Sequence, residues 1–126
     1  MKESDIQKMI VDHLTTIIPV LNVPFFFFSI PNESFLMAAK IAGMDSKTIS
    51  ILMTHLKKMG MIPGVPDLCV LCEGRTIFFE IKRPGEKLTK NQKRIHDIIE
   101  KTGHRIFIVD GLAGFRHEMN LMGVYL

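Results

Sequence analysis

Ile6, Met9, Ile10, Leu14, Ile17 and Ile18 recur at helical spacing, which predicts an amphipathic helix over about residues 4–18. Ser4 and Gln7 have capping-box spacing at its start, and Pro19 is placed to stop it. From Val23 to Ile30 the polar positions almost vanish. Phe25, Phe26, Phe27 and Phe28 are consecutive, in a short run that predicts a strand buried on both faces or one shared with an interface. Pro31-Asn32 ends it. A short helix follows over 34–42, with Gly43 as its stop. A second, over 46–59, carries Ile49, Leu52, Met53 and Leu56 on one side and closes at Gly60.

Ile62-Pro63-Gly64-Val65-Pro66 is too rich in turn formers for a regular element. Leu68–Cys72 and Arg75–Lys82 read as strands joined by the two residues Glu73-Gly74. That is the length of a tight hairpin loop, although glutamate is unusual at its first position. A helix over Thr89 to Thr102 has Thr89 and Gln92 at capping-box spacing and Gly103 at its C-terminus. Arg105–Val109 is a strand, Asp110-Gly111 turns it, and 112–126 shows weak helical or irregular signals. The order predicts one α/β domain over 1–126, a small mixed sheet flanked by helices. At 126 residues the chain holds one core but no TIM barrel or full dinucleotide-binding fold. Its 47% hydrophobic content excludes disorder.

Charge adds one feature. The formal net charge is only +3, but between Lys82 and Arg105 eight basic residues stand against three acidic ones. That segment is +5 and the remainder −2, a bias compatible with nucleic acid and equally with a solvated face. Cys69 and Cys72 form a C-x-x-C inside an apolar strand with no second pair to complete a zinc set, so they read as reduced strand residues. His13, His55, His96, His104 and His117 show no ligand spacing and read as structural or surface residues. The nine Met residues follow core positions. Residues 1–20 show no signal-peptide pattern, and no apolar run approaches the ~18 residues a membrane helix needs. A cytoplasmic, reducing setting is the expectation, with no membrane and no organic cofactor.

The hairpin concentrates chemistry. A two-residue loop opposes Cys72 to Arg75 and Asp67 to Glu80, and opposed side chains share a face with Cβ atoms about 5 Å apart. Lys82, two residues beyond Glu80, lies on the same face. Two carboxylates this close repel when buried, and a divalent cation removes the conflict. A Glu–Lys ion pair on a solvated strand is the plainer alternative.

The string Pro63-Gly64-Val65-Pro66-Asp67, with Glu80-Ile81-Lys82 ending the following hairpin, resembles the PD-(D/E)XK nuclease signature. More closely, PGVPDL followed by FFEIKRPGEKLTKNQ resembles the VRR-NUC (virus-type replication-repair nuclease) domain, as do ESDIQ in the first helix and SIPNE before the middle helices. The resemblance covers about residues 3–110 and implies a restriction-endonuclease-like core. It implies Asp67 and Glu80 as metal ligands with the Ile81 carbonyl, Lys82 as the catalytic lysine, and Glu3 as a third acidic group. Gln92 is implied at the site, although Thr89 competes for it as a capping partner. Gln7, i+4 from Glu3, is a supporting residue.

Lys87, Lys90, Lys93 and Arg94 surround the next helix start and are candidate DNA-phosphate contacts. Asn32 and Glu33 of the SIPNE string are expected near the substrate groove. The resemblance further implies Mg2+- or Mn2+-dependent hydrolysis of DNA phosphodiesters, by a homodimer nicking four-way junctions, and a phage or prophage origin. The alternatives are flaps, nicked duplex or ends cut by the same site, or a non-catalytic DNA-binding protein of the same fold.

Overall fold

The computed structural model describes residues 1–126, with the side chains of Glu33 and Ser34 outside the described set. Helix α1 (Glu3–Ile17) buries Ile6, Ile10 and Leu14, the stripe its sequence predicts. It starts one residue earlier than expected. Lys2 is the cap residue, and its N–H donates to the Asp5 carboxylate at 3.2 Å. Ser4 therefore lies inside the first turn, and the Ser4–Gln7 spacing is not a cap. A 3-10 turn over Ile18–Val20, holding Pro19, ends the helix.

The sheet has the order β1-β2-β3-β4. Strand β2 (Leu68–Cys72) pairs antiparallel with both β1 (Phe25–Ser29) and β3 (Arg75–Ile81), and β4 (Arg105–Val109) is parallel to β3. The mixed sheet is as expected, and Cys72 pairs with Arg75 as the loop length requires. Both loop residues adopt left-handed backbone, Glu73 at φ +50° and Gly74 at φ +73°, as a type I′ turn demands. Helix α4 (Lys90–Lys101) makes the crossover from β3 to β4.

One face of the sheet carries Leu68, Val70, Ile77, Phe79, Ile81 and Val109, which form the core with α1 and with α5 (Leu112–Leu121). The Phe79 and Phe115 rings meet at 4.6 Å. The C-terminal segment is thus better ordered than its weak pattern implies. Phe115 and Met119 are buried, and Arg116 Nε donates to the Leu126 carbonyl at 2.8 Å while Arg75 Nη1 donates to that of Met122 at 3.0 Å.

The other face carries Cys69, Phe78 and Glu80, and α4 packs over it. Cys69 and Cys72 lie three residues apart on a strand and so point to opposite faces, both free thiols. Strand β1 is an edge strand rather than one buried on both faces. Phe25 and Phe27 turn to the core, but Phe26 and Phe28 are 60% and 42% exposed. Four consecutive aromatics do not alternate, so their pattern cannot tell a covered face from an open one. Between β1 and β2, helices α2 (Glu33–Ile41) and α3 (Ser46–Lys58) pack on each other. Asp45 caps α3, accepting from the Thr48 N–H at 2.7 Å. Its stripe of Ile49, Leu52, Met53 and Leu56 is only half-buried. Among the described residues no helix is long and apolar enough to cross a membrane.

Candidate active site

The Pro63–Asp67 loop reaches the site at the end of β2, and Gly64 explains its composition. Gly64 has φ +94°, and a Cβ there would lie 2.8 Å from the carbonyl carbon and oxygen of Asn91. Only glycine lets this loop sit against the first turn of α4. The loop then delivers Asp67, which is held from several sides. Its N–H donates to the Phe79 carbonyl at 3.0 Å, and its carbonyl accepts from the Ile30 N–H at 2.9 Å. Its carboxylate accepts from the Ile81 N–H at 2.7 Å and from Asn32 Nδ2 at 2.9 Å. Regular pairing stops at Leu68 and Phe79, and the carboxylate reaches past Glu80 to finish the ladder.

Glu80 is 2% exposed. Burial, a hydrogen bond to Asp67 and the Asp67 charge together push its carboxyl up to about 10. A carboxyl buried beside a second carboxylate favours its protonated form. Lys82 is also buried, and its N–H donates to the Val109 carbonyl at 3.0 Å, so the backbone holds it beyond the end of β3. Lys82 Nζ lies 3.7 Å from Glu3 Oε1.

Glu3 is pushed up to about 7, first by burial and then by a hydrogen bond to Glu86, with Lys82 opposing. The 3.7 Å pair with Lys82 is therefore loose and does not hold Glu3 fully charged near neutrality. Glu86, bonded to Arg83 and Glu3, is pushed down to about 2. Of the two, Glu86 is the stronger acid. Glu86 is a neighbour that sequence spacing did not single out.

The structure adds a second neighbour. His96, 6% exposed, places Nε2 at 3.0 Å from Glu80 Oε1. Burial pushes the His96 imidazole below its ordinary value. With Glu80 pushed up as well, the contact is a hydrogen bond between neutral groups rather than an ion pair. Along the chain His96 has no ligand spacing; its partner lies on the sheet face that α4 covers. The one available signal is its position, i+4 from Gln92 on the same side of α4.

The remaining candidates fall as follows. Gln92 closes the capping box, its Oε1 accepting from the Thr89 N–H at 2.9 Å and its own N–H donating to Thr89 Oγ1 at 3.2 Å. Its side-chain NH2 is the end left to meet a water or phosphate. Gln7 is half-buried one turn after Glu3, and among the described residues no hydrogen bond joins the two. Lys87, Lys90, Lys93 and Arg94 are exposed around the start of α4. Asn32, expected at the substrate groove, is instead 3% exposed and donates to Asp67 and to the Val65 carbonyl. A side chain this buried supports the carboxylate rather than meeting DNA. The Glu33 side chain lies outside the described residues.

Among the described residues no three His, Cys, Asp or Glu side chains gather closely enough to hold a metal ion by themselves. The donor chemistry nonetheless fits a hard cation. Asp67 and Glu80 are adjacent buried carboxyls, the Ile81 carbonyl follows, and Mg2+ commonly takes one or two carboxylates with waters and phosphate oxygens completing its shell. Each Asp67 oxygen accepts a hydrogen bond from one nitrogen donor, Asn32 Nδ2 or the Ile81 N–H.

An α/β domain with paired carboxyls and a buried lysine at the strand ends is the class that the fold and site define. A protein of Acyrthosiphon pisum secondary endosymbiont phage 1, named "Putative nuclease p44", is 38% identical over 69 aligned residues, which cover 47% of this chain and 74% of the phage protein. The chain belongs to the family of that phage protein. No protein-family model matches the chain. No solved structure matches it.

Proposed function

We propose that the chain is a divalent-cation-dependent DNA nuclease of the PD-(D/E)XK type, close to VRR-NUC domains, acting at Asp67, Glu80 and Lys82. The observation that carries this reading is the meeting of two carboxyls and a lysine, all buried, at the open end of one hairpin. Kinship with a phage protein named as a nuclease supports it. Asp67, Glu80 and the Ile81 carbonyl would hold Mg2+ or Mn2+, with Glu3 reaching it through water. The bound cation supplies Lewis-acid polarisation of the phosphate and a more acidic water.

The chain's own residues do the rest. Lys82 donates to the attacking water or to a non-bridging phosphate oxygen, where negative charge builds. Asn32 and the Ile81 N–H keep Asp67 in one orientation. Gln92 offers its NH2 to a phosphate oxygen, and Lys87, Lys90, Lys93 and Arg94 hold the backbone of the nucleic acid. In the reaction, water adds to phosphorus and one P–O ester bond breaks. The water's proton passes to solvent, and the leaving alkoxide takes a proton in turn.

The favoured substrate is a four-way junction, nicked by a homodimer. The exposed Phe26 and Phe28 on edge strand β1 support a self-associating surface. The test is a panel of labelled four-way junction, flap, nicked duplex and linear duplex in Mg2+, Mn2+ or EDTA, with sedimentation in parallel. Symmetric junction nicks by a dimer are expected. Preferential flap cutting by a monomer would replace the junction reading with a flap nuclease. Metal-dependent cleavage of none of the four would overturn the enzyme reading.

A further inference from the structure

We infer that His96 is a positioning residue for the cation site, fixing the carboxylate of Glu80 through the Nε2–Oε1 hydrogen bond. The inference rests on the proposed cation role of Glu80 and deepens it. Two observations carry it. The ring is 6% exposed, so a polar group has been taken from water and needs a partner to offset that cost. The partner within reach is Glu80 Oε1 at 3.0 Å.

The geometry divides the labour at Glu80. One carboxylate oxygen, Oε1, is held by α4. When Glu80 is ionised, the contact is a hydrogen bond only if His96 carries its proton on Nε2 and donates it. Asp67 is fixed in the same manner by Asn32 and by the Ile81 N–H. Each carboxylate thus has its own donor from a different element, α4 for Glu80 and the segment after β1 for Asp67. Donors behind ligating carboxylates typically raise metal affinity about 10–100-fold, because they remove rotamers that cannot bind. His96 also lines an open depression of ≈ 370 Å³ with Lys93, Asp97 and Glu100, so the ring stands between the site and the surface.

The test compares the parent with His96→Leu, which removes the donor at similar bulk, and His96→Gln, whose amide can reach Glu80. Three quantities are read: the metal-free melting temperature, Mn2+ affinity by calorimetry, and the Mn2+ concentration giving half-maximal DNA cleavage. In His96→Leu, Mn2+ affinity is expected to fall about 10–100-fold with the half-maximal concentration rising by the same factor. His96→Gln is expected to recover most of the affinity. Parental affinity in a folded His96→Leu protein overturns the inference, and so does an equal loss in a folded His96→Gln protein, which would indicate packing. Should His96→Leu fail to fold, the Gln protein decides alone: near-parental affinity supports the role, and a loss overturns it. A parent that binds no Mn2+ overturns the cation site itself, and the role of His96 with it.

Discussion

The Asp67 carboxylate accepts the main-chain N–H of Ile81 at 2.7 Å, so one side chain finishes the β-ladder and also faces the site. The two roles separate by substitution. Asp67→Asn keeps an acceptor for Ile81 but loses the charge that would bind a cation. Asp67→Ala leaves a buried N–H unpaired, which costs about 1–3 kcal/mol. Both proteins are expected to lose cleavage by at least about 100-fold. Only the alanine protein should show a clear loss in urea denaturation. Equal stability of the two would mean that the Asp67–Ile81 bond does not hold β3.

Stability of the metal-free protein should fall as pH rises. Glu80 is pushed up to about 10 from an ordinary value of 4.5, so the folded state keeps a proton that the unfolded chain has released. The stabilisation is complete below about pH 4.5 and is lost as pH climbs toward 10. Glu3, pushed up to about 7, acts in the same direction at lower pH. His96 acts oppositely, but only below its ordinary value of 6.5. Melting temperatures in EDTA between about pH 7 and 9 should therefore decline, and Glu80→Gln should flatten the decline. A flat parent profile would contradict the proton held by Glu80.

Gly64→Ala tests the contact between the Pro63–Asp67 loop and α4. A Cβ would meet Asn91 at 2.8 Å on a backbone at φ +94°. The left-handed conformation alone costs a non-glycine residue about 1–3 kcal/mol, and the clash adds to it. Because Gln92 and His96 ride on α4, cleavage should drop further than the stability loss explains. Activity and urea midpoints measured on the same preparation check this, and unchanged activity would show that the loop does not set α4.

The exposed cations at the start of α4 should appear in salt dependence. Replacing Lys87, Lys90, Lys93 or Arg94 singly by alanine should lower the slope of log affinity against log salt by about 1 wherever the side chain had neutralised a phosphate. Fluorescence anisotropy in EDTA isolates binding from cleavage. Slopes equal to the parent's in all four would assign these side chains to solubility.

Much of the hairpin was legible along the chain, because a two-residue loop leaves one register and Cys72 does pair with Arg75. The meeting of Asp67 and Glu80 followed from that local rule. The capping of α4 by Thr89 was equally readable, since its partners are three residues apart. Long-range relationships were not. His96 meets Glu80 from an element packed on the sheet, and Asn32 meets Asp67 from another loop, which no spacing encodes. The phenylalanine run marked a strand but not an edge, because whether Phe26 and Phe28 are covered depends on what lies over that face. Ser4 and Gln7 had capping-box spacing, yet the bond that forms uses Lys2 and Asp5 instead.

The most direct test of the account is the rate at which the parent and Lys82→Met cut the same labelled DNA panel, in Mn2+ and in EDTA. The prediction is cleavage by the parent in Mn2+, none in EDTA, and a rate at least about 100-fold lower for a folded Lys82→Met protein. Undiminished cleavage by Lys82→Met, or parental cleavage that persists in EDTA, would contradict it.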